Sequence, residues 1–197
     1  MYESGANTTV NSNDITRVLR IAPDMYPYNY VTCSQAQILA NEKSTENYIS
    51  SLLYGIQYDL IVKYIEENSS LSYSQIYEDS SNWGNQQNSE FEITKGKYFD
   101  YRQSNWHEVS NSFKKTASQR YLLTTGVTSR NSILNIFELA GNAREWTLEF
   151  TELYEGNSVN IVVGCAQTNT PINTRYGNPV DYSSWGIGFR TTIFSTK

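Results

Sequence analysis

Histidine is almost absent from this sequence of 197 residues, because His107 is the single example. One imidazole excludes metal chemistry that needs several histidine ligands. No Gly-x-Ser-x-Gly turn or second histidine supports a hydrolytic triad among the abundant serines. His107 follows Trp106 and has no identifiable acid and nucleophile partners in a catalytic pattern, so we expect it in a solvated loop.

Cysteine is nearly as scarce, with Cys33 and Cys165 the only two in the chain. Two cysteines form one disulfide or remain two free buried thiols, and the sequence leaves both arrangements open. Cys165 lies in an apolar run, where a single cysteine is most often a small buried residue.

Charge is also sparse, since 18% of positions are charged and the formal net charge is −5. Binding to a nucleic-acid backbone needs clustered lysine and arginine, and the sequence has no long basic run. No stretch approaches the roughly 18 consecutive apolar residues of a membrane-spanning helix. The first nine residues have neither the cationic region nor the apolar run of a secretory signal. We therefore expect no nucleic-acid partner and no membrane span.

Small neutral polar residues and aromatic rings take the place of charge. The sequence contains 20 Asn, 23 Ser, 16 Tyr and 4 Trp. Asn and Ser favour loops and turns, and Tyr together with Ser and Asn gives a binding surface contact area at low cost in side-chain entropy. The same tyrosines also suit the core of a loop-rich fold. The length predicts one domain at residues 30–197, preceded by an N-terminal arm or truncated first strand at residues 1–29.

Apolar spacing predicts two helical segments. Residues 31–40 are typical of a strand end that runs into a short helix, with Ser34 as its N-cap. A second segment has apolar residues at three-and-four spacing, which predicts a core-facing stripe on a helix that properly begins at Gly55. Residues 67–132 are predicted to be loop-rich, with short strands at 91–94 and 121–126. The apolar residues of the stripe are Ile49, Leu52, Leu53, Ile56, Leu60, Ile61, Tyr64 and Ile65.

Two motifs carry the most information about the fold. The first is Asn135-Ile-Phe-Glu-Leu-Ala-Gly-Asn-Ala-Arg-Glu-Trp-Thr147, and the second is Gly188-Phe-Arg190. In this order they resemble the formylglycine-generating-enzyme (sulfatase-modifying factor) family, whose members carry N-I-x-D/N-x-x-G-N-V-W-E-W-T and close on G-F-R. Weaker matches lie at residues 51–59 and at Trp83-Gly-Asn85. The resemblance implies an α+β, C-type lectin-like fold that is loop-rich, with a small antiparallel sheet and two helices.

The resemblance also implies a structural calcium ion at the first motif. Carried over by position, its ligands are the side chains of Glu138 and Glu145 and the backbone carbonyls of Gly141 and Ala143. Calcium takes six to eight oxygen ligands of these types. Arg144 stands where the family has a Trp, and an arginine beside two glutamates offers a cation-free alternative.

Arg190 ends the second motif, and we expect it to be structural. A buried arginine pairs with a carboxylate, and Glu145 is the expected partner. Glu145 cannot serve this arginine and calcium fully at once, so the two interpretations compete in part.

The family's enzymes bind copper through two cysteines that follow an R-G-G-S motif, and thiolates suit Cu(I). In the aligned stretch, Gly164 and Cys165 fall on the two glycines, and the expected cysteine positions lie within Gln167–Asn173, which contains none. Cys33 matches no catalytic position. We therefore expect no copper and no enzyme of this type.

The segment at residues 156–185 is the predicted recognition surface. Thirteen of its 30 positions are Asn, Ser, Thr or Tyr. The resemblance extends to the variable proteins of diversity-generating retroelements, which display substitutions in this region. It implies a phage or bacterial surface protein, extracellular or on a cell or virion, that binds a protein or cell-surface ligand. The alternatives are a structural accessory domain of a surface or virion protein and an oxidoreductase-like enzyme that uses residues unlike the family's. Ordinary surface loops fit the composition too. The expected contact residues are Gln167, Asn169, Asn173, Tyr176, Asn178, Tyr182 and Trp185, with the last two as aromatic anchors.

Overall fold

A computed structural model describes residues 1–6, 8–10, 15–152, 158–163 and 170–197. Within these ranges the chain is α+β and loop-rich, with two main helices and several small sheets that are mostly antiparallel. The fold class predicted from the sequence is confirmed at this level. The predicted recognition residues Gln167 and Asn169 lie outside the described residues, as does Cys165.

Helix α1 spans Cys33–Asn41. Thr32 is its N-cap: the Thr32 hydroxyl accepts a hydrogen bond from the Gln35 amide, and the Gln35 side chain accepts one from the Thr32 amide. This reciprocal pair satisfies two donors that a helix start leaves open. The prediction of Ser34 as the cap is therefore wrong by two residues.

Helix α2 spans Gly55–Asn68, which confirms Gly55 as the start of the helix proper. The residues before it form strand β3 at Tyr48–Leu52 rather than a helical turn. The core-facing stripe predicted for α2 is partly wrong. Ile56 and Leu60 are 67% and 61% exposed, whereas Ile65 is buried as predicted and Ile61 packs against the core. The face that packs inward carries Tyr58, Val62 and Ile65. The stripe that contains Tyr58 enters the core, and the stripe that contains Ile56 and Leu60 faces outward.

The remaining elements are short, which is the expected geometry of a loop-rich chain. A third helix, α3, spans Tyr73–Tyr77, and a single 3-10 turn spans Ser129–Asn131. The strands other than β3 are β1 Gly5–Ala6, β2 Tyr26–Pro27, β4 Phe91–Ile93, β5 Lys97–Asp100, β6 Asn105–Glu108, β7 Phe113–Lys115, β8 Tyr121–Leu123, β9 Ser132–Ile133, β10 Ile136–Phe137, β11 Arg144–Glu152, β12 Ser158–Val163, β13 Arg175–Pro179, β14 Ile187–Phe189 and β15 Thr191–Ser195. The strands predicted near residues 91–94 and 121–126 are confirmed.

The largest sheet has four strands in the order β13-β12-β11-β14. Strand β11 pairs antiparallel with β12 and parallel with β14. The parallel register sets Arg144 opposite Ile187 and Trp146 opposite Phe189. The two sequence motifs therefore lie side by side, although they are about forty residues apart in the chain.

The first residues of the chain lie inside the molecule. Glu3 and Ser4 are fully buried, and the Ser4 amide donates to the Phe189 carbonyl over 3.1 Å. Strand β1 pairs with β2, and the Tyr28 amide donates to the Ser4 carbonyl over 2.8 Å. The N-terminal segment thus contacts the C-terminal motif directly.

The predicted absence of a membrane span agrees with the helices in the described ranges. None of them is both long and apolar enough to cross a membrane. The two main helices have 9 and 14 residues, and each carries polar side chains on its outer face.

Candidate functional site

Two loops with a Gly-Asn pair contact each other through their backbones. The Asn85 amide donates to the Ala140 carbonyl over 2.8 Å, and the Asn142 amide donates to the Asn85 carbonyl over 3.0 Å. A Cβ atom on Gly84 would collide with the Ala140 carbonyl, and one on Gly141 would collide with the backbone of Asn85. Close approach therefore requires glycine at both positions. The weak Trp83-Gly-Asn85 match and the strong first motif form one structural unit.

Asn142 fixes this unit to strand β8. Its backbone is left-handed, with φ of 64°, and its side chain is fully buried. The side-chain oxygen accepts from the Leu123 amide over 2.8 Å and from the Asn85 side chain over 3.0 Å. The side-chain nitrogen donates to the Leu123 carbonyl over 3.1 Å. Asparagine tolerates this backbone conformation and satisfies its neighbours at the same time.

A buried ion pair joins the two motifs. The Arg190 guanidinium donates to both Glu145 oxygens, with N···O distances of 3.0, 3.0 and 2.6 Å. Arg190 is fully buried and also donates to the Phe137 carbonyl over 2.9 Å. The predicted pairing of Arg190 with Glu145 is confirmed. Desolvation of two charges is offset here by planar, bidentate geometry.

Two further carboxyl groups lie close to this pair. Glu138 is 1% exposed, and one of its oxygens accepts from the Gly126 amide over 2.7 Å. Burial raises the pKa of Glu138 to about 8, against the opposing effect of that hydrogen bond. Burial and the neighbouring Glu145 also raise the pKa of Glu3, which accepts from the Asn142 side chain over 3.1 Å. The carboxyl groups are therefore held in water-free surroundings that favour their neutral forms.

This geometry fits calcium poorly at the predicted ligands. Both Glu145 oxygens face Arg190, and one Glu138 oxygen is bound by an amide, which leaves one Glu138 oxygen without a protein partner. No group of three or more His, Cys, Asp or Glu side chains in the described ranges is placed to hold a metal ion. Calcium takes six to eight oxygens. The predicted ion with Glu138, Gly141, Ala143 and Glu145 remains a hypothesis that a melting experiment can test.

Arg144 does not take the calcium position. Its guanidinium carbon lies 3.8 Å from the centre of the Tyr176 ring, on the other side of strand β11 from the Glu145 carboxylate. Successive side chains of a strand point to opposite faces. The alternative in which Arg144 pairs with the two glutamates is therefore wrong, and Arg190 has that role for Glu145.

The predicted recognition residues that are described do not form one patch. Tyr176 is partly covered by Arg144, and Tyr182 is 44% exposed in the turn after β13. Asn173 lies in the turn before β13, and Asn178 lies near the end of β13. Both residues are half-buried. Trp185 is different, because its ring contacts the Tyr101 ring, with 3.9 Å between ring centres and an angle of 47° between the ring planes.

Arg175, the one cation within the predicted recognition segment, is already engaged. It donates to Asp59 on α2 over 2.6 Å and to Glu149 on β11 over 2.8 Å. Both pairs are part-exposed, so solvent weakens them. Arg175 ties the sheet to the helix and is not free to hold an anion.

Trp185 lines an aromatic cleft of about 590 Å³, and this cleft is the candidate functional site. Phe99 lies between its neighbours, with ring centres 5.0 Å from Tyr101 and 5.8 Å from Trp106. A narrow recess at its base reaches Val10, Asn29 and Leu122. The five rings of the cleft are Tyr30, Phe99, Tyr101, Trp106 and Trp185.

The cleft is built from two walls that separate parts of the chain supply. One wall is the β5–β6 hairpin, in which Phe99 is directly opposite Trp106. The other wall is the segment that carries Trp185, held by a 2.7 Å hydrogen bond from the Asn29 side chain to the Trp185 carbonyl. The Tyr30 amide donates to the Ser184 carbonyl over 3.0 Å. Tyr30 has a left-handed backbone with φ of 55°, which turns the chain towards the cleft.

The polar lining of the cleft is neutral. Besides the rings it presents the side chains of Thr9, Asn29, Ser104 and Asn105, and no charged side chain lines it among the described residues. Aromatic faces offer stacking surfaces, and amides and hydroxyls both donate and accept hydrogen bonds. The arrangement suits a flat or ring-shaped neutral ligand.

Sequence reasoning found Trp185 and missed the other four rings. The signal that was available is the density of aromatic residues in Tyr98-Phe-Asp-Tyr101 and at Trp106, with a turn between. The prediction that His107 lies in a solvated loop is wrong, because residues 105–108 form strand β6 of the hairpin. His107 lies in β6, half-buried, with its ring 5.2 Å from the Tyr98 ring centre.

Cys33 is a free and buried thiol at the start of α1. Its sulfur donates to the Thr147 carbonyl over 3.5 Å, and burial raises the pKa of the thiol to about 12. A thiol with a raised pKa is a poor nucleophile and metal ligand. Cys33 thus acts as a small core residue.

No family model, curated protein or solved structure matches this chain.

Proposed function

We propose that this chain is a non-catalytic ligand-binding and display domain with a C-type lectin-like fold of the formylglycine-generating-enzyme type. Its ligand is a protein or a cell-surface molecule, recognised at the aromatic cleft and the adjoining C-terminal segment at residues 156–185. The observation that carries the proposal is the position of Trp185. It is the predicted anchor, and it lies half-buried in a cleft with four other rings.

The contacts between motif segments support the fold assignment. Residues that resemble the family are scattered along the sequence, yet three of the segments meet in space. The turn at Trp83–Asn85 contacts the first motif, and the first motif pairs in parallel with the segment that ends in Arg190. A chance resemblance gives no reason for these segments to meet.

The cysteine chemistry supports a role without catalysis. The family's oxidase needs two thiolates close together, and the sequence has none at the expected positions. Cys33 is buried and holds its proton to about pH 12.

The proposed setting is the surface of a phage or bacterium, where a neutral face rich in Asn, Ser and Tyr suits recognition of varied ligands. The alternative is a structural accessory domain of a larger surface or virion protein. Ile56, Leu60 and Tyr64 favour that alternative, because they form an exposed apolar stripe along α2. Such stripes mark contact surfaces in larger assemblies.

Fluorine NMR on protein labelled with 5-fluorotryptophan tests the proposal with a control inside the chain. Trp106 and Trp185 line the cleft, whereas Trp83 and Trp146 are buried elsewhere. A library of small fragments, short peptides and saccharides is screened against the four signals. We expect ligands that shift the Trp106 and Trp185 signals and leave the Trp83 and Trp146 signals unchanged. If no compound acts selectively on the first pair, the cleft is not a binding site.

A further inference from the structure

Strands β3 and β15 form a two-stranded antiparallel sheet, in which Ser50 lies opposite Ile193. The outer edge of β3 is covered by side chains that precede it in the chain. The Ser50 amide donates to the Ser44 hydroxyl over 2.9 Å. The Leu52 amide donates to the Gln37 side-chain oxygen, also over 2.9 Å. Two backbone donors of this edge are therefore satisfied within the chain.

The hydrogen-bond pattern of the sheet shows which groups of β15 point outward. In an antiparallel pair of strands, directly opposed residues alternate between pairs that exchange backbone hydrogen bonds and pairs that do not. The Thr196 amide donates to the Asn47 carbonyl over 3.1 Å, which extends the register by one bonded pair. Residues 191, 193 and 195 are therefore the positions whose amides and carbonyls point away from β3. Among the described residues, these groups have no hydrogen-bond partner.

Strand β15 lacks the features that protect an open edge. Natural proteins protect such edges with lysine, proline or a bulge, because an open edge is a template for another strand. The strand reads Thr-Thr-Ile-Phe-Ser, and its register with β3 is unbroken. Ile193 at its centre is 61% exposed. The edge is therefore uncharged, regular and apolar at the middle.

We propose that β15 pairs antiparallel with β15 of a second copy of this chain, which joins the two sheets into one of four strands. Pairing of identical antiparallel strands generates a two-fold axis, the symmetry of most dimers. A register centred on Ile193 is the one that uses all three outward residues of both copies. Ile193 then exchanges both backbone hydrogen bonds with Ile193 of the second copy. The inference does not depend on the aromatic cleft.

The side chains of β15 complement themselves in this register. Thr192 lies opposite Phe194 of the second copy, and Thr191 lies opposite Ser195. Pairs of an aromatic with a β-branched residue and pairs of hydroxyl side chains both stabilise neighbouring strands. No like charges meet, since β15 contains no charged residue. A second copy therefore fits this edge at every position of the strand.

The area beside the edge indicates a weak, reversible dimer. The apolar side chains there are between 38% and 61% exposed, and a free side chain of this size presents roughly 200 Å². Two copies thus cover at most about 800 Å² of these side chains, whereas stable interfaces bury about 1,200–2,000 Å² in total. We expect a Kd of about 10 µM to 1 mM. The residues concerned are Tyr48, Ile49, Ile193 and Phe194.

Sedimentation equilibrium at protein concentrations from about 1 µM to 1 mM tests the inference. We expect a reversible monomer–dimer equilibrium. Ile193→Lys sets two like charges opposite each other at the axis and should weaken the dimer about tenfold or more. Leu60→Lys is the matched control, because Leu60 is also 61% exposed and lies in the apolar stripe of α2. Its Kd should equal that of the unchanged protein.

Cross-linking tests the register directly. Bonded partners in antiparallel strands have Cα atoms about 5.5 Å apart, within the range of about 4.4–6.8 Å that a disulfide accepts. Ile193→Cys in a Cys165→Ser background should form a disulfide-linked dimer under mild oxidation. Leu60→Cys in the same background should not. Cys33 is buried, so it does not compete for the cross-link.

The outcomes separate this inference from its competitors. A chain that stays monomeric throughout the concentration range overturns it. A dimer that survives Ile193→Lys, that dissociates equally in Leu60→Lys, or that cross-links only through Leu60→Cys also overturns it. Unchanged fluorine signals of Trp83 and Trp146 in Ile193→Lys show that the variant is folded, and if it does not fold, the cysteine variants decide. Ligand binding at the cleft is measured on dilute monomer, so the two proposals fail independently.

Discussion

The motif unit, which comprises the turn at Trp83–Asn85, the first motif, the segment that ends in Arg190 and the buried Glu3, differs from the aromatic cleft in the side chains that it buries. The motif unit buries charge: Glu3, Glu138, Glu145 and Arg190 all have exposures of 2% or less. The cleft exposes part of five uncharged rings and has neutral polar groups at its edge. The motif unit comes from residues that the sequence displays as a pattern, whereas the cleft comes from residues with no common spacing.

This difference explains why the sequence shows the motif unit as a recognisable pattern and does not show the cleft. A buried charge tolerates few substitutes, because any change leaves a partner without compensation. The residues around a buried charge are therefore restricted in type, and together they form a recognisable sequence motif. A stacking surface accepts many arrangements of rings from any loop that reaches it. The strong motif thus marks residues that hold the fold together, and the weaker aromatic signal marks the proposed ligand site.

The largest expected effect comes from breaking the buried pair. Glu145→Gln leaves the Arg190 charge uncompensated in the core and should lower the free energy of unfolding by about 3–5 kcal/mol. Glu149→Gln is the matched control, because its arginine partner is part-exposed, and should cost less than about 1 kcal/mol. Urea denaturation measures both. Similar losses for the two variants would mean that burial does not distinguish the pairs.

The second effect is a pH dependence inside the motif unit. The pKa of Glu138 is raised by burial to about 8 in the folded state, so its contribution to stability is complete at low pH and is lost as the pH rises from about 4.5 through 8. Glu138→Gln removes this dependence. The stability of the unchanged protein relative to this variant should fall by roughly 1 kcal/mol per pH unit over that range. Denaturation curves at pH 5 and 8 test it, with the exposed Glu42→Gln as a control that should show no such trend.

The third effect concerns the contribution of the cleft to the free energy of unfolding, which we expect to be small. Tyr101→Ala removes a half-exposed ring and should cost about 1 kcal/mol in the same urea experiment, since only part of the ring is removed from water in the fold. The fluorine signals of Trp83 and Trp146 should keep their positions. A loss as large as that of Glu145→Gln would make the cleft part of the core, and the contrast between the two regions would disappear.

The smallest expected effect is that of calcium on protein stripped of metal. A ligand that binds only the folded state stabilises it by RT ln(1 + [L]/Kd), so the melting temperature rises with the ligand concentration. Because Arg190 already neutralises Glu145, we expect no concentration-dependent rise with calcium and no fall with chelator. A clear rise that disappears in Glu138→Gln would instead establish the predicted calcium site. Magnesium at the same concentrations serves as the control for non-specific effects of a divalent ion.

Some of the fold was accessible from the sequence, and the misses have identifiable causes. The start of α2 at Gly55 was accessible because glycine interrupts the apolar helical pattern at that position. The orientation of α2 was not accessible, because both of its stripes are apolar at helical spacing. The Tyr58 hydroxyl decides it by donating to the Ile172 carbonyl over 2.9 Å, a partner 114 residues away.

Strand β3 and the cleft were missed for the same reason. Ile49 pairs with Phe194 across nearly the whole length of the chain, so no local pattern identifies the segment as a strand. Four of the cleft rings come from two regions that precede Trp185 by about 80 or more residues. The pairing of Glu145 with Arg190 was predictable because both residues belong to motifs whose order and charge are explicit.

The pairing of the chain's two ends has a consequence for its synthesis. Strand β15 completes a sheet with β3, and the Phe189 carbonyl accepts from the Ser4 amide. A growing polypeptide leaves the ribosome from its N-terminus, so Ser4 and residues 48–52 emerge long before these C-terminal partners exist. Contacts between distant residues form slowly. The backbone of strand β3 therefore stays without its strand partner until about residue 195 has emerged, which leaves an open strand edge during that interval.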